Sequence, residues 1–454
     1  MRLLFLLIFF PFLQIHAQAL ISQADLHYLK ELTQAVIDSS RILPNQRIST
    51  DFGPNQTGGT LIRPGGRSSY PAFWTRDYAM SVGTGMITLE EQKHMLLLTA
   101  STQNDEIKKT VHGSIIPQGA IADHIRIDDA KPIYFPGTYS FENQGEIRWG
   151  HQPPLDDMLY FIHMTYEYVK QSKDLSILDQ QIRGISLFNR LILALKAVPE
   201  NPSNQLVHVE ASNRGVDFGF RDAIHITGDL CFTSILKYQA ISQLSEMYQW
   251  KGNQMEHQKL KTLANTIKRN IVQVFLEPNG MLKASTSMSA QADVWSTAWA
   301  VYTGVLSKDK AIQASQRICQ SYQNKTLAYR GAVRHVIRTD DFNDKTAWEG
   351  SLVKKDTYQN GAYWSTATGW VAFTMALTQP TLAQQLIQEF IADLRTGDFR
   401  QGRGFGAPWE CFTERDQQNP VYMTSVSIPY QVLLNSTISG KKPTIHRRIK
   451  NSLN

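Results

Sequence analysis

The chain alternates pairs of helices with long loops, and this rhythm limits the folds that it can adopt. Apolar residues recur at intervals of three and four in twelve segments, the spacing that places them on one face of a helix. Six connections are long, at about 40–76, 103–152, 199–228, 276–291, 323–359 and 398–421. Loops above ~12–15 residues are usually functional or disordered, but disordered segments contain few aromatic residues, and these loops contain many. They therefore predict a functional site at one end of a helical scaffold.

The twelve helices are connected alternately by short and long segments. Their approximate spans are 22–39, 77–88, 89–102, 154–171, 174–196, 229–250, 254–275, 292–306, 308–322, 361–377, 380–396 and 422–436. This alternation predicts an all-α fold, an (α/α)6 toroid in which an outer ring of helices encloses an inner ring and the last helix pairs with the first. A helical solenoid is the alternative, because stacked helix pairs also build superhelices. Solenoids show repeats of fixed period, and this sequence shows none.

Both ends of the chain differ from its body. Residues 1–19 combine Arg2, an apolar stretch over 3–13 and the small-residue sequence Ala17-Gln18-Ala19, the pattern of a cleaved export signal. The apolar stretch is too short for a stable membrane span, although an uncleaved anchor is the alternative. The mature protein is expected to be periplasmic or secreted. No linker divides residues 20–438, so we expect them to form one domain that contains the functional site. We expect residues 439–454 to form a solvated basic tail.

The formal net charge of +6 comes from the two ends. Without Arg2 and the five cations of the tail, the formal charge is zero, which argues against nucleic-acid binding and suits an uncharged polar ligand. The three cysteines, Cys231, Cys319 and Cys411, form no CxxC pair, so neither a zinc site nor a disulfide framework is predicted. Cys231 and Cys319 lie on apolar helix faces and are expected to be buried. Nothing in the sequence sets an oligomeric state.

The first long loop ends in Trp74-Thr75-Arg76-Asp77, a set of side chains suited to binding a sugar. A carboxylate such as Asp77 accepts hydrogen bonds from sugar hydroxyls, a guanidinium such as Arg76 donates to them, and the ring of Trp74 covers an apolar sugar face. The alternative is that Asp77 caps the helix that follows, which is common for aspartate. The segment alone favours neither interpretation.

The third loop concentrates charged residues between Glu210 and Asp222. A catalytic acid must stay protonated near neutral pH, and burial against apolar groups raises the pKa of a carboxyl group enough to allow this. Asp217 has apolar neighbours on both sides, whereas Asp222 adjoins Arg221, so Asp217 is the better candidate. The alternative is an ordinary loop with local salt bridges.

Two later segments supply further candidates. Glu410 follows a glycine-rich run at 402–406 and lies beside Trp409, a setting suited to a general base at an open site, with Glu414 as the second choice. A carboxylate flanked by aromatic residues is alternatively a buried structural acceptor. The segment 358–364 leads into a predicted inner helix and is expected to form a wall of the site, with three binding residues: Tyr358, Asn360 and Trp364.

In their order along the chain, these segments resemble the inverting six-hairpin glycosidases, which include trehalases, processing α-glucosidases, glucoamylases and glycogen-debranching glucosidases. The segment 74–77 is similar to the Arg-Asp element with which glucoamylases hold a terminal glucose, and 64–67 is similar to the Pro-Gly-Gly-Arg run of trehalases. The third loop, with Asp217 followed by Phe218 and Arg221, is similar to the trehalase segment that carries the general acid. Residues 358–364 are similar to a Tyr-x-Asn-Gly-Gly-x-Trp segment of the family.

The resemblance covers residues 60–435 in outline and implies a role for each segment. Asp217 would be the general acid, and Glu410, shortly before the last helix, would be the general base. The substrate-binding residues would be Trp74, Arg76, Asp77, Glu210, Arg221, Tyr358, Asn360, Trp364 and Trp409. The third loop is longer here than in the family, which keeps Glu210 as an alternative acid. The segment around Glu410 also lacks the family's Glu-x-Tyr context.

The expected function is that of an exported glycoside hydrolase, inverting and exo-acting on α-linked, gluco-configured oligosaccharides. Inversion requires only two carboxyl groups, about 6.5–9.5 Å apart, so no metal and no organic cofactor is expected. A polysaccharide lyase or unsaturated-uronyl hydrolase on the same scaffold is the first alternative, because the fifth loop contains basic residues that suit an acidic sugar: Arg330, Arg334, His335 and Arg338. The second alternative is a toroid that binds sugars without cleaving them.

Overall fold

A computed structural model describes residues 19–67 and 70–438. The predicted basic tail, and all of the predicted export signal except Ala19, lie outside these residues. The described chain contains twelve α-helices: α1 Gln23–Ser40, α2 Thr75–Ser81, α3 Leu89–Thr102, α4 Asp157–Ser172, α5 Leu187–Ala197, α6 Cys231–Trp250, α7 Gln254–Phe275, α8 Val294–Tyr302, α9 Lys308–Gln323, α10 Thr368–Met375, α11 Pro380–Gly397 and α12 Thr424–Ile438. Their number and order agree with the prediction from the sequence.

The helices form two concentric rings. Each inner helix packs against the next, in the order α2, α4, α6, α8, α10 and α12, and α12 packs against α2 to close the ring. The outer helices α1, α3, α5, α7, α9 and α11 pack on this inner ring, with α1 against α12. The predicted all-α (α/α)6 toroid is therefore confirmed, including the pairing of the first and last helices.

Burial differs between the two rings as this arrangement requires. Every residue of the inner helix α2 is buried, because an inner helix has neighbours on all sides. The outer helix α7 buries one stripe of residues: His257, Ala264, Ile267, Ile271 and Phe275. All the long loops run from an outer helix to the next inner helix, so they meet at the N-terminal ends of the inner helices.

The predicted helix 174–196 is wrong in its first half. A hairpin of two strands, Gln181–Ile182 and Ile185–Ser186, interrupts it, and α5 begins only at Leu187. Arg183 and Gly184 turn this hairpin with φ angles of 49° and 78°, a left-handed geometry that an α-helix does not contain. The apolar pattern therefore continues across a turn that the helical periodicity does not reveal.

The loops contain short strands that the sequence analysis does not predict. In the described residues they are β1 Arg41–Ile42, β2 Leu61–Ile62, β3 Ala72–Trp74, β4 Lys108–Lys109, β5 Ile115–Ile116, β6 His124–Arg126, β7 Pro132–Ile133, β8 Gln181–Ile182, β9 Ile185–Ser186, β10 His208–Val209, β11 Ile224–His225, β12 Gly228–Asp229, β13 Ala328–Tyr329, β14 Ala332–Val333, β15 Gly350–Ser351, β16 Trp409–Phe412 and β17 Gln417–Pro420. The strands pair antiparallel, and the largest sheet has the order β3–β6–β7. This sheet and the β16–β17 hairpin position residues of the candidate site.

Three further properties bear on function. Cys231, Cys319 and Cys411 are buried free thiols, as expected for the first two. No helix of the described chain is long and apolar enough to cross a membrane. Within residues 19–67 and 70–438, no three His, Cys, Asp or Glu side chains are grouped so that they could hold a metal ion.

Candidate active site

A cavity of about 260 Å³ lies where the long loops meet. Five of the six loops and the first turn of α2 line it, and the loop at 276–291 does not contribute. The carboxyl and aromatic side chains of the lining are Asp77, Asp123, Asp222, Glu410, Tyr70, Trp74, Tyr139, Trp149, Phe220, Tyr358 and Tyr422. The volume lies below the ~300–1,000 Å³ typical of pockets for drug-sized ligands. The cavity therefore suits one small ligand of about the size of a sugar ring.

Arg76 is buried at the cavity wall among carboxyl groups. Its Nε donates to Asp156 at 3.1 Å, and its Nη2 donates to Asp123 at 2.6 Å and to Asp157 at 2.9 Å. Nη1 has no hydrogen-bond partner among the described residues, so it is the nitrogen that remains for a ligand. Burial opposes ionisation of Asp123, but Arg76 and His124 lower its pKa to about 2. Burial raises the pKa of Asp157 well above its usual value.

Trp74 and Asp77 flank Arg76 and also line the cavity. Trp74 stacks on the ring of His124, with 4.4 Å between the ring centroids. Asp77 accepts a hydrogen bond from the Tyr422 hydroxyl at 2.7 Å, and burial raises its pKa to about 7 against the opposing effects of Tyr422 and Arg76. The alternative prediction, in which Asp77 caps α2, is wrong: the helix begins at residue 75 and has no side-chain cap.

Glu410 lies on β16, and donors surround its carboxylate. Its Oε2 accepts hydrogen bonds from the Tyr70 hydroxyl at 2.7 Å and from the side-chain amide of Asn419, and its Oε1 accepts one from the Tyr358 hydroxyl at 3.2 Å. Burial raises the pKa of Glu410 to about 7, repulsion from Asp222 adds to this rise, and the three donors oppose it. The predicted residues Glu410 and Tyr358 thus face the cavity together.

Asp222 is the carboxyl group of the third loop that lines the cavity. Its Oδ1 is buried without a hydrogen-bond partner among the residues that the structure describes. Burial raises the pKa of Asp222 to about 7, the charge of Asp123 adds to the rise, and Arg76 and Gln359 oppose it. Three donors contact Glu410, whereas Asp222 has a buried oxygen without one, so fewer hydrogen bonds stabilise the ionised form of Asp222.

Asp217, the predicted acid, does not line the cavity. Its Oδ2 accepts a hydrogen bond from Nη1 of Arg221 at 3.1 Å, and its Oδ1 accepts one from the Thr233 hydroxyl. Arg221 also donates to Asp293 at 2.7 Å, and both members of the Asp217–Arg221 pair are buried. Arg221 thus pairs with the residue four positions earlier and not with its neighbour Asp222. This corrects the sequence argument that had favoured Asp217 over Asp222.

The remaining predicted residues also lie away from the cavity lining. Glu210, the alternative acid, is exposed to solvent. The Asn360 side chain is buried and hydrogen-bonds backbone groups. Trp364 is buried and packs edge-on against Phe220, a cavity residue, at 5.6 Å between centroids. Trp409 is half-buried beside Glu410. Trp364 therefore supports the cavity wall from behind.

The basic residues of the fifth loop do not reach the cavity either. Arg330, Arg334 and Arg338 each form an ion pair with an acidic side chain elsewhere. His335 is buried and stacks on a core tryptophan, with 3.9 Å between centroids. The fifth loop therefore adds no free cation to the described cavity.

The second loop supplies more of the cavity than the sequence analysis predicts. Asp123 immediately precedes β6, His124 is its first residue, and Tyr139 and Trp149 follow in the same loop. Nδ1 of His124 lies 2.6 Å from the Asp123 carboxylate, and Nε2 lies 3.0 Å from the carbonyl oxygen of Thr138. The adjacent Asp-His pair between apolar residues is the sequence signal that could have identified this segment.

Comparison with solved structures gives the same architecture. The glucoamylase of Saccharomycopsis fibuligera aligns with a TM-score of 0.57 at 11% identity, over 94% of this chain and 97% of the glucoamylase. The GH63 mannosylglycerate hydrolase of Thermus thermophilus, in complex with glucose, aligns with a TM-score of 0.54 at 12% identity, over 89% of this chain and 99% of the hydrolase. The chain has the six-hairpin glycosidase fold.

A third structure with the six-hairpin glycosidase fold is longer than this chain. The rhamnosidase of Klebsiella oxytoca with rhamnose bound aligns with a TM-score of 0.53 at 10% identity over 92% of this chain, which spans 65% of the rhamnosidase. No protein-family model and no curated protein matches the sequence. Structural similarity at 10–12% sequence identity establishes the fold alone, because one fold can carry many different activities.

Proposed function

We propose that this protein is an exported glycoside hydrolase that removes single sugar residues from the ends of α-linked, gluco-configured oligosaccharides with inversion. One observation carries the proposal: Asp222 and Glu410, two carboxyl groups with raised pKa and unequal hydrogen bonding, face one cavity of about the size of a sugar ring. Inversion and the α-gluco configuration rest on the resemblance to the inverting six-hairpin glycosidases. Export rests on the signal-like pattern that the sequence predicts for residues 1–19.

Asp222 acts as the general acid and Glu410 as the general base. Three donors favour the ionised form of Glu410, which can then accept a proton from water. Asp222 has a buried oxygen without a donor and keeps its proton for the leaving oxygen. Repulsion between the two groups favours the state in which only one is ionised. In that state water attacks the anomeric carbon, Glu410 takes the proton of the water, and Asp222 gives its proton to the glycosidic oxygen.

Activity is expected to depend on pH as a bell-shaped curve with its maximum at about pH 7. Protonation of Glu410 lowers kcat/KM on the acidic side, and loss of the Asp222 proton lowers it on the alkaline side. Both groups have a pKa of about 7, and their repulsion separates the two titrations. A profile of kcat/KM against pH on a cleaved substrate tests this expectation. A maximum near pH ~4, the usual range of exposed carboxyl groups, would contradict it.

Arg76, Asp77 and Trp74 bind the sugar that enters the cavity. Nη1 of Arg76 donates to a hydroxyl, the Asp77 carboxyl accepts from one, and the Trp74 ring offers an apolar face. The four carboxyl groups and the single arginine of the described lining favour a neutral sugar over a uronic acid, since like charges repel strongly in partly buried sites. This supports the glycosidase over the lyase and the unsaturated-uronyl hydrolase.

Gly219 leaves the space that the Arg76 guanidinium occupies. A Cβ on Gly219 would lie 1.7 Å from Nε of Arg76, and the Gly219 N–H donates to Asp156 at 3.0 Å, a carboxylate that Arg76 also contacts. We expect Gly219→Ala to displace the guanidinium and to lower kcat/KM by about 10²-fold, the cost of a misplacement of about an ångström. The matched control is Gly404→Ala, because open space surrounds that position. Steady-state kinetics should show the loss in the first variant alone.

The proposed reaction is tested by a screen of α- and β-linked disaccharides, aryl glycosides and uronic-acid oligosaccharides, with the first-formed product anomer determined by NMR. We expect cleavage of neutral α-linked glucosides and initial release of β-glucose. Initial release of α-glucose would contradict inversion. Cleavage restricted to uronic acids would favour the lyase or uronyl hydrolase, and calorimetric binding of sugars without cleavage would favour a non-catalytic toroid.

A further inference from the structure

The three residues that donate to Glu410 share an unusual backbone conformation. Tyr70, Tyr358 and Asn419 have φ angles of 61°, 41° and 45°, in the left-handed region that is costly for residues with a Cβ. The described chain has twelve such non-glycine residues, and its only two aromatic ones are Tyr70 and Tyr358. Asparagine tolerates this region better than most residues, but an aromatic residue there is an outlier. Three residues with left-handed backbones, two of them aromatic outliers, therefore converge on one carboxylate.

The donors come from three separate loops, and their surroundings fix them. The Tyr70 ring packs edge-on against Trp74 at 4.9 Å, and the Tyr358 ring packs against Trp364 at 5.3 Å. The carbonyl oxygen of Tyr358 also accepts a hydrogen bond from the Trp364 indole N–H at 3.4 Å. In the β16–β17 hairpin, the flanking strand pairs put Asn419 across from Glu410. The first, fifth and sixth loops thus each present a donor to the same group.

Strained backbone persists only where the surrounding structure determines it, and it concentrates at functional sites. We propose that Tyr70, Tyr358 and Asn419 are positioning residues whose left-handed backbones aim their donors at Glu410 and so hold it ionised and correctly oriented. The role of Glu410 as the base rests on the proposed function, but the convergence of donors on its carboxylate does not. The backbone strain at Tyr70 and Tyr358 is then the free-energy cost of fixing their hydroxyl groups on Glu410.

Other titratable groups face Glu410, and none of them replaces these donors. Asp222 raises the pKa of Glu410 by repulsion, and Glu410 acts in the same way on Asp77. Tyr422 and Cys411 also lie close enough to Glu410 for their ionisation to be opposed, and the Tyr422 hydroxyl donates to Asp77. Loss of a donor from Glu410 should therefore raise its pKa, because the carboxyl groups around it oppose ionisation.

The proposal is tested by titrating Glu410 directly in the full chain labelled with ¹³C in the glutamate side-chain carboxyl. The resonance that is missing in Glu410→Gln identifies the group. We expect Tyr70→Phe, Tyr358→Phe and Asn419→Ala each to raise the pKa of Glu410, by about one unit for Tyr70 and Asn419, as for loss of a hydrogen bond to a charged group. Tyr358 lies farther, at 3.2 Å, and should give a smaller shift.

The matched control is Tyr422→Phe, which removes a hydroxyl from the same cavity that donates to Asp77 and not to Glu410. This change should not raise the pKa of Glu410. Equal shifts in the control and in the three donor variants, or no shift in any of them, would overturn the proposal. If the wild type cleaves no sugar, the proposed function fails, while the titration still decides whether the donors hold Glu410 ionised.

The contribution of strain is tested at Asn419, which has φ of 45°. Asn419→Ala and Asn419→Gly both remove the donor, but glycine adopts positive φ without steric cost. We expect the same rise in the pKa of Glu410 in both variants, and a higher midpoint of thermal unfolding for the glycine variant than for the alanine variant. Because glycine loses more backbone entropy than alanine on folding, a lower midpoint for the glycine variant would show that the backbone is not strained there and would overturn this part of the proposal. With a substrate that the protein cleaves, the acidic pKa of the kcat/KM profile should rise by the same amount as the pKa of Glu410 in the ¹³C titration.

Discussion

Replacing Glu410 by glutamine is expected to lower kcat by about 10³-fold on every substrate that the wild type cleaves, within the ~10²–10⁴-fold range of general acid–base catalysis. Glutamine keeps the shape of the side chain but cannot accept a proton from water. The loss should be the same for a disaccharide and for an aryl glycoside with an acidic phenol, because activation of water is needed for both. Kinetics on two such substrates measure this.

Glu414→Gln is the matched control for this prediction. Glu414 lies four positions later on an exposed part of the same loop, 3.8 Å from Arg338, and does not line the cavity. Exposed ion pairs contribute little to stability, so kcat and the midpoint of thermal unfolding should both stay near the wild-type values. If Glu414→Gln lost activity and Glu410→Gln did not, the base would be Glu414, the second choice from the sequence.

The sequence predicts the toroid because the helices repeat one simple physical pattern. An outer helix such as α7 buries one apolar stripe, so intervals of three and four recur along it. The loop lengths also alternate along the described chain. The strands escape prediction because most have only two residues, too few for an alternating pattern to appear. The hairpin before α5 escapes for a related reason: Arg183 and Gly184 turn the chain within a stretch that stays apolar on both sides.

The cavity is only partly predictable, since it depends on which loops meet. Trp74, Arg76 and Asp77 lie next to each other in the chain, and their types alone suggest sugar binding. Asp123 approaches Arg76 from a loop 47 residues away, at 2.6 Å, and no local pattern encodes that contact. The sequence analysis therefore assigns no role to the second loop, although this loop forms one wall of the cavity.

The choice between Asp217 and Asp222 shows the limit of arguing from neighbours in the chain. Apolar neighbours predict burial of Asp217 correctly, but burial does not show which way a carboxyl group points. The sequence suggests that Arg221 pairs with its neighbour Asp222. In the fold Arg221 instead pairs with Asp217, at 3.1 Å. Side chains adjacent in sequence often point apart, and only the folded loop shows which pair forms.

Asp222→Asn is expected to lower hydrolysis of a disaccharide by about 10³-fold and hydrolysis of an aryl glycoside with an acidic phenol far less. The sugar released from a disaccharide is a poor alkoxide leaving group unless its glycosidic oxygen is protonated, whereas an acidic phenol departs as a phenolate without a proton. The ratio of the two losses therefore identifies the general acid, and it should differ from the equal losses in Glu410→Gln. A dependence on leaving-group pKa that appears in Asp222→Asn and is weak in the wild type would support this assignment.

Asp217→Asn is the control that separates the two aspartates. Asp217 is buried and bonded to Arg221 and Thr233, so its neutralisation leaves a buried arginine with less compensation, and breaking such a pair typically costs about 3–5 kcal/mol of stability. We expect a lower midpoint of thermal unfolding, with similar losses of kcat on both substrates in whatever protein stays folded. If Asp217→Asn instead spared the aryl glycoside and Asp222→Asn did not, the acid would be Asp217, because only the proton donor makes the rate depend on the leaving group.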